Sequence, residues 1–291
     1  MNTVHWAKRP FRGQGRLADT VGRVAEWVTA GRGLSHPYPG VELETRLNDR
    51  IQRQMWAGTY EPHVRACMET LIEEGHTVLD VGAHIGVHAS AAAFLCGSSG
   101  RVAAFEADPE LHRHLRKNLA QFPWAHAIFA AVWDHSGDIC FERTTNRHES
   151  GWGTVVEVRD RGEGEIVRVP AVAIDDWARK SGVCRVNFLK IDAEGSEPAV
   201  IRGAVSTLHD FHPVIILELN EDLLTGSGTS AAEVAASLAG FDYETFHLSW
   251  LHLECWDPVL HRGLCEVICL PANSAEDRVY KLERAGFNIS G

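Results

Sequence analysis

The chain has 291 residues, 28 Lys+Arg against 39 Asp+Glu, and a formal net charge of −11. That length allows one large α/β domain or two small ones, and a 45% apolar share excludes general disorder. The acidic balance argues against a broad nucleic-acid face, and no run approaches the ~18 apolar residues of a membrane span.

Residues 1–33 lack the apolar core of a signal peptide, so the expectation is a cytoplasmic protein with no nucleic-acid or membrane partner. The seven Cys include no CxxC pair, which favours buried reduced thiols over a disulfide framework or zinc knuckle. His and Trp are abundant, at 16 and 9, and become candidates wherever a pocket forms.

Along the chain, residues 1–32 carry a local charge of +4, with Leu17, Val21, Val24, Ala25 and Val28 at helical spacing. This predicts an amphipathic helix over 17–30, stopped at Gly31 and Gly33 and followed by a rigid turn over 35–40. Residues 1–57 are therefore expected to form a helical N-terminal extension or lid, and residues 58–291 one domain. A helix is predicted over 61–74, with Pro62 early and Gly75 at its end.

From residue 77 the rhythm becomes strand, tight turn, helix. Strands are predicted over 77–82, 101–106, 127–132, 186–192 and 213–218, with helices over 89–95, 111–119 and 231–238 and the last strands within 242–269. Asp108-Pro109 reads as an N-cap with proline at the first helical position. Continuous apolar strands alternating with helices predict an α/β fold, a mostly parallel Rossmann-like sheet covered on both faces. Residues 138–177 break that rhythm with short β segments over 139–142, 154–158 and 166–173, which predicts a β-hairpin insertion.

The segment Val78-Leu-Asp-Val-Gly-Ala-His-Ile-Gly86 carries the chemistry. Glycines after a strand let backbone approach a ligand closely and open a helix N-terminus towards it. The G-x-x-x-G spacing is neither the dinucleotide G-x-G-x-x-G nor a phosphate loop. Twenty-six residues after Asp80, Glu106 ends the next strand, where a carboxylate can accept hydrogen bonds from both hydroxyls of a ribose. Asp80, Gly82, Gly86 and Glu106 together describe a pocket for S-adenosylmethionine, with S-adenosylhomocysteine as product.

Those residues, with Ala104-Phe-Glu-Ala-Asp-Pro109, Ala131-Val-Trp-Asp-His-Ser-Gly137, Leu189-Lys-Ile-Asp-Ala-Glu-Gly-Ser-Glu197, Gly203-Ala204 and Pro213-Val-Ile-Ile-Leu-Glu218, resemble the FkbM-type family of class I S-adenosylmethionine-dependent methyltransferases over roughly 58–220. The resemblance implies a seven-stranded sheet with the last strand antiparallel, and O-methylation of a secondary metabolite or sugar. By position it implies that Asp80, Gly82, Ala83, His84 and Gly86 line the methionine part of the cofactor, that Glu106 takes the ribose, and that Ala107 is also cofactor-binding. Ala131, Val132 and Asp134 would flank adenine, and Tyr60-Glu61 would lie on the cofactor side. His84 stands where the family usually has Asn.

Asp192, Glu194 and Glu218 end strands at the carboxyl edge, where open α/β sheets bind ligands. Asp192, also adjacent to the cofactor, is the first candidate for a base that takes the hydroxyl proton or positions the acceptor. Glu194 and Glu218 follow, although Glu194 and Glu197 could instead cap the next helix. A divalent metal on Asp192 and Glu218 is an alternative that the residues do not favour, and neither His84/His88 nor His112/His114 completes a zinc set. Trp133 and Trp152 are candidate substrate-binding residues, the latter on a loop over 149–153 suited to closing over an acceptor. Trp250, Trp256, His247 and His252 could extend an aromatic wall, or serve as core. The expected partner is a small hydroxylated molecule, with a homodimer allowed; N-methylation of a peptide or small molecule, or a non-catalytic cofactor-binding role in a biosynthetic complex, are the alternatives.

Overall fold

The computed structural model describes residues 31–144, 150–151, 153–155 and 164–290. The helix predicted over 17–30 lies outside them. The described part of the N-terminal extension is not purely helical: β1 (Arg32–Ser35) and β2 (Leu43–Arg46) form an antiparallel hairpin, followed by α1 (Arg50–Ala57). In β2 Leu43 and Thr45 are buried and alternate with half-buried neighbours, a period of two that no helix would satisfy. Asp49 caps α1 by accepting a hydrogen bond from the Gln52 amide at 2.9 Å.

The chain then forms α2 (Pro62–Leu71), β3 (Thr77–Val81), α3 (Val87–Cys96), β4 (Arg101–Glu106), α4 (Pro109–Leu119) and β5 (Ala125–Phe129). The predicted cap is present, with Asp108 accepting from the amides of Glu110 and Leu111. The apolar run expected as a single strand over 127–132 divides at Ala130. β5 pairs with β4, whereas β6 (Ala131–Val132) turns away to pair with a different sheet.

That second sheet is the expected insertion. β7 (Gly137–Arg143), β8 (Thr154–Val155) and β9 (Glu165–Val172) join β6 in the order β6-β9-β7-β8. The chain returns through α5 (Ile174–Lys180), β10 (Phe188–Ile191), α6 (Glu197–Arg202), α7 (Val205–Phe211), β11 (Val214–Asn220), α8 (Glu221–Gly226) and α9 (Ala231–Ala239). It finishes with β12 (Tyr243–Ser249), β13 (His252–Cys255), β14 (Leu264–Pro271), α10 (Ala275–Ala285) and β15 (Asn288–Ser290).

Among the described residues the main sheet has nine strands where seven were expected, in the order β15-β13-β12-β14-β11-β10-β3-β4-β5. Five neighbours from β5 to β11 are parallel. β14 runs antiparallel between β11 and β12, and β13 with β15 extends the far edge. This is the class I methyltransferase architecture with two added edge strands. One face packs under α2, α3, α4 and α10 through residues such as Met68, Ala92, Leu115 and Leu282. The other packs under α5 to α9 through Ile174, Val200, Leu208 and Leu238. Both faces being apolar explains why the parallel strands read as unbroken hydrophobic runs.

The seven cysteines are all free; four are buried as expected, but Cys184 and Cys255 are exposed. Among the described residues no helix is long and apolar enough to cross a membrane.

The turn from β3 into α3 is the tightest point of the sheet's carboxyl edge. Gly82 has φ +76°, and a Cβ there would lie 1.8 Å from the carbonyl oxygen of Asp192. Gly82→Ala therefore combines backbone strain with a clash against main chain. It is expected to lower unfolding free energy by at least about 2 kcal/mol in a urea titration, and an unchanged midpoint would contradict this close approach.

Candidate active site

Four strand exits converge on one cavity of about 860 Å³ at the carboxyl edge of β3, β4, β10 and β11, a size suited to a drug-sized ligand. On one side stands the β3–α3 turn. The amides of Gly82 and Ala83 donate to the carbonyl of Phe105 at 3.1 and 2.9 Å, drawing the turn over the end of β4. His84 adopts a left-handed φ of +52°, and its amide donates to Glu106 Oε2 at 2.8 Å. The amide of Asp108 donates to Oε1 of the same carboxylate at 2.7 Å. Glu106 is thus held from both oxygens by backbone. A carboxylate has about four lone-pair sites, so it keeps acceptor capacity for ribose hydroxyls. Burial pushes it up to about 8, against the pull of those amides.

Asp80 lies directly behind the lining, buried, with neither carboxylate oxygen hydrogen-bonded. Burial raises its pKa, and the charge of Lys190 opposes that shift. A buried carboxylate without partners is destabilising unless a donor or cation completes its surroundings. The orphaned Asp80, the half-satisfied Glu106 and the bare backbone at Gly82 fit a nucleoside carrying an ammonium group, which is what S-adenosylmethionine presents.

On the other side, β10 delivers Lys190 and then Asp192. Lys190 is buried in register with Asp80, and its Nζ lies 3.0 Å from Asp192 Oδ2 and 4.0 Å from Glu61 Oε2. Burial disfavours its charge, yet the carboxylates of Asp192, Glu61 and Asp80 outweigh that and hold it above the ordinary lysine range. Glu61, also at a left-handed φ of 39°, accepts from His88 Nε2 at 2.8 Å. Burial pushes Glu61 up, but Lys190 and His88 together keep it well below the usual carboxylate range. Its neighbour Tyr60 lines the cavity, and burial with the adjacent carboxylates raises its hydroxyl pKa.

After Asp192 the chain makes a tight turn in which Glu194 (φ +47°) and Gly195 (φ +90°) are both left-handed. Glu197 Oε1 accepts from the amides of Ala193 and Gly195 at 3.0 and 3.1 Å. Glu197 thus ties the turn ahead of α6, and the helix itself has no side-chain cap, so neither acid takes the capping role considered for them. Glu194 lines the cavity, and burial followed by the charge of Asp192 pushes it up to about 8. Glu218 is raised to about 10 by the same two causes.

Tyr60, Glu61, Gly82, His84, Glu106, Ala107, Ala131, Val132, Asp192, Glu194 and Glu218 all line the one cavity. Ala83 and Gly86 shape the turn behind it. Asp134 does not join them: it faces outward, with Oδ2 taken by Arg202 at 3.0 Å and Oδ1 by His135 at 2.6 Å. Trp133 is likewise outside the lining, because β6 has turned towards β9 and its amide donates to Val172. Trp152 lies outside the described residues. Of the aromatic candidates, half-exposed Trp250 reaches the rim, whereas Trp256 is core. His84 Nε2 pairs with Ser150 Oγ at 2.7 Å while His88 turns to Glu61, so the two histidines share no common ligand position.

Among the lining residues that were not anticipated, Glu266 and His63 adjoin the acids already named. Glu266 on β14 stands directly opposite Glu218 on β11, an alignment of like charges that ordinarily destabilises a sheet. His63, from the start of α2, pairs with Glu266. Burial pushes Glu266 up to about 8 and His63 down to about 4. The available signal for Glu266 was one acid within an apolar strand, Cys265-Glu-Val-Ile-Cys269.

Residues 80–245 match the family model of the Methyltransferase FkbM domain. The chain is 28% identical over 145 residues to the hexuronic acid methyltransferase AglP of Haloferax volcanii, a match covering 50% of this chain and 56% of that one. It is 39% identical over 75 residues to a protein-L-isoaspartate O-methyltransferase of Methanopyrus kandleri, covering 25% of this chain and 33% of the relative. This chain thus spans about half or less of the curated relatives it matches. Among solved structures, an FkbM methyltransferase from Methylobacillus flagellatus aligns with a TM-score of 0.44 and 15% identity, covering 67% of this chain and 43% of the other.

Two outcomes test the site. Glu106→Ala should weaken S-adenosylmethionine binding by about 1–3 kcal/mol in calorimetry, through loss of charge-assisted hydrogen bonds; unchanged affinity would remove Glu106 from the ribose position. The raised carboxyls also set a pH dependence. Between about 4.5 and 8 the folded state holds protons that the unfolded chain releases, so stability contributed at low pH is lost as pH rises through about 8. Glu266→Gln should flatten that decline in unfolding free energy, measured by denaturant titration across pH 5 to 9.

Proposed function

Because this chain belongs to the FkbM methyltransferase family, we propose that it is an S-adenosylmethionine-dependent O-methyltransferase whose acceptor is a hydroxyl of a sugar or a secondary metabolite. When bound, the cofactor supplies an electrophilic methyl carbon on a sulfonium and departs as S-adenosylhomocysteine. The protein must hold the acceptor oxygen in line with that carbon and receive the hydroxyl proton, which is too weakly acidic to leave unaided at neutral pH.

The carboxylates around Glu218 support this reading. Oxygens of Asp192, Glu194 and Glu218 lie within 4.8 Å of one another, as do those of Glu61, Glu218 and Glu266. Asp192 has one oxygen committed to the ammonium of Lys190, which suits it to orient the acceptor hydroxyl. Glu194, with its proton affinity raised to about 8, is the better matched proton acceptor near neutral pH.

The same cluster narrows the acceptor. Glu218 and Glu266 face the far end of the cavity, where Trp250 and Leu264 form the rim. Burial already disfavours the charged forms of Glu218 and Glu266 here, so a free carboxylate on the acceptor would be disfavoured by the same loss of hydration. The hexuronic acid named for the Haloferax relative supports a sugar acceptor in general; the buried surroundings here favour a neutral hydroxylated one.

A panel of hydroxylated acceptors, followed by S-adenosylhomocysteine release and product mass, tests the activity. Neutral sugars and polyols should give products one methyl group heavier, with the matching uronic acids at least about ten-fold poorer. Absence of any methylated product across the panel would support the non-catalytic alternative instead. With an acceptor in hand, Glu194→Gln should lower turnover by about 10²-fold or more, abolish the rise in rate with pH towards 8, and leave cofactor affinity nearly intact. Asp192→Asn should lower turnover more modestly; full activity in both variants would exclude this assignment of base and orienting group.

A further inference from the structure

Away from the cavity, the β12–β13 hairpin and the loop after it bring two imidazoles and a carboxylate to one point. His247 and Glu254 are direct cross-strand partners, and His247 Nδ1 lies 3.1 Å from Glu254 Oε1. His261, seven residues further on, places its Nε2 3.1 Å from the same oxygen. The two rings stack with centroids 4.2 Å apart at 27°. Both histidine side chains are largely covered, at 19% and 14% exposure, while Glu254 remains half open at 49%. We propose that His247, Glu254 and His261 form a three-ligand site for a divalent transition ion of the zinc class, with its fourth position open to solvent.

The dimensions suit the ion. Zinc bonds to imidazole nitrogen and carboxylate oxygen at about 2.0–2.2 Å in a tetrahedron, which sets neighbouring ligand atoms about 3.3 Å apart. The three donor atoms here already lie within 4.8 Å of one another, with the two histidine–carboxylate separations at 3.1 Å. Only small side-chain rotations would open the centre. Two imidazoles and one carboxylate also match the donor preference of zinc and its neighbours, in contrast to the all-oxygen sets taken by magnesium or calcium.

The surroundings of His261 supply the support that ligating histidines ordinarily have. Its Nδ1 lies 3.0 Å from the backbone carbonyl of Asp257 and 3.1 Å from the amide of the same residue; metal binding at Nε2 would select the tautomer in which Nδ1–H donates to that carbonyl. Asp257 in turn closes its loop, with Oδ1 accepting from the Val259 amide at 2.7 Å and its carbonyl from the His261 amide at 2.9 Å. An ion held there would tie the loop between β13 and β14 to the hairpin, and that loop leads directly into Leu264 and Glu266 of the cavity rim.

The test is titration of the chelator-treated full chain with cobalt(II), read by visible d–d absorption, and competition with zinc. The expected result is one tight equivalent with imidazole-type bands. His247→Ala and His261→Ala should each weaken its binding at least ten-fold, and the exposed Glu254→Gln should weaken it as well. His252→Ala, on the same hairpin but outside the cluster, should leave it unchanged. Circular dichroism and retained S-adenosylmethionine binding confirm that each variant is folded, which keeps this outcome separate from that of the methyltransferase assignment. No tight equivalent in the native chain, or undiminished binding in folded His261→Ala and Glu254→Gln, would overturn the site.

Discussion

A single buried ammonium organises the reactive end of this fold. Lys190 sits inside the sheet, and its charge is retained there only because Asp192 and Glu61 stand within reach and Asp80 lies in register beside it. Ion pairs in such settings owe little to their net energy, since desolvation offsets much of the attraction. Their value lies in position: the pair fixes where β10 ends, where the α2 entry folds against it, and which way the carboxylates of the cavity face. Removing the cation would leave several acids without compensation, whereas removing any one acid would leave the others in place.

The cavity therefore has two electrostatic characters in one space. Towards β4 the acids are held by backbone amides, as at Glu106, which suits them to the proposed cofactor recognition. Towards β11 and β14 they face one another across the sheet, and burial raises their proton affinity into the range useful for moving a proton. The dividing line runs through the close contact of Gly82 with the Asp192 carbonyl, which places the cofactor turn and the proposed chemistry in direct mechanical contact.

Much of this was legible in the sequence because it is local. The strand, glycine turn and helix around Asp80 and Gly82, the cap at Asp108-Pro109 and the acid after each strand are all encoded within a few residues. The N-terminal hairpin was obscured by short strands whose alternation covers only four residues each. Glu266 could not be assigned from spacing, since it meets Glu218 only through the antiparallel register of β11 and β14, and His63 reaches Glu266 across a sequence separation of 203 residues. Trp133 and Asp134 misled for the opposite reason: an unbroken apolar run gives no sign that the backbone leaves one sheet for another, carrying both side chains out of the pocket.

That departure at Ala130 couples two parts of the molecule. Ala130 donates its amide to the carbonyl of Glu106, and the next two residues are already strands of the accessory sheet. The accessory sheet is thereby anchored on the wall that would receive the purine ring, with no slack in the connection. Substitutions at Arg143, Thr144 and Val155, which line the cavity from that sheet, can alter its mouth, but any change that tilts the root strand would be felt at the nucleobase. Evolution of acceptor choice in this scaffold should accordingly concentrate at the tips of that sheet and spare its base.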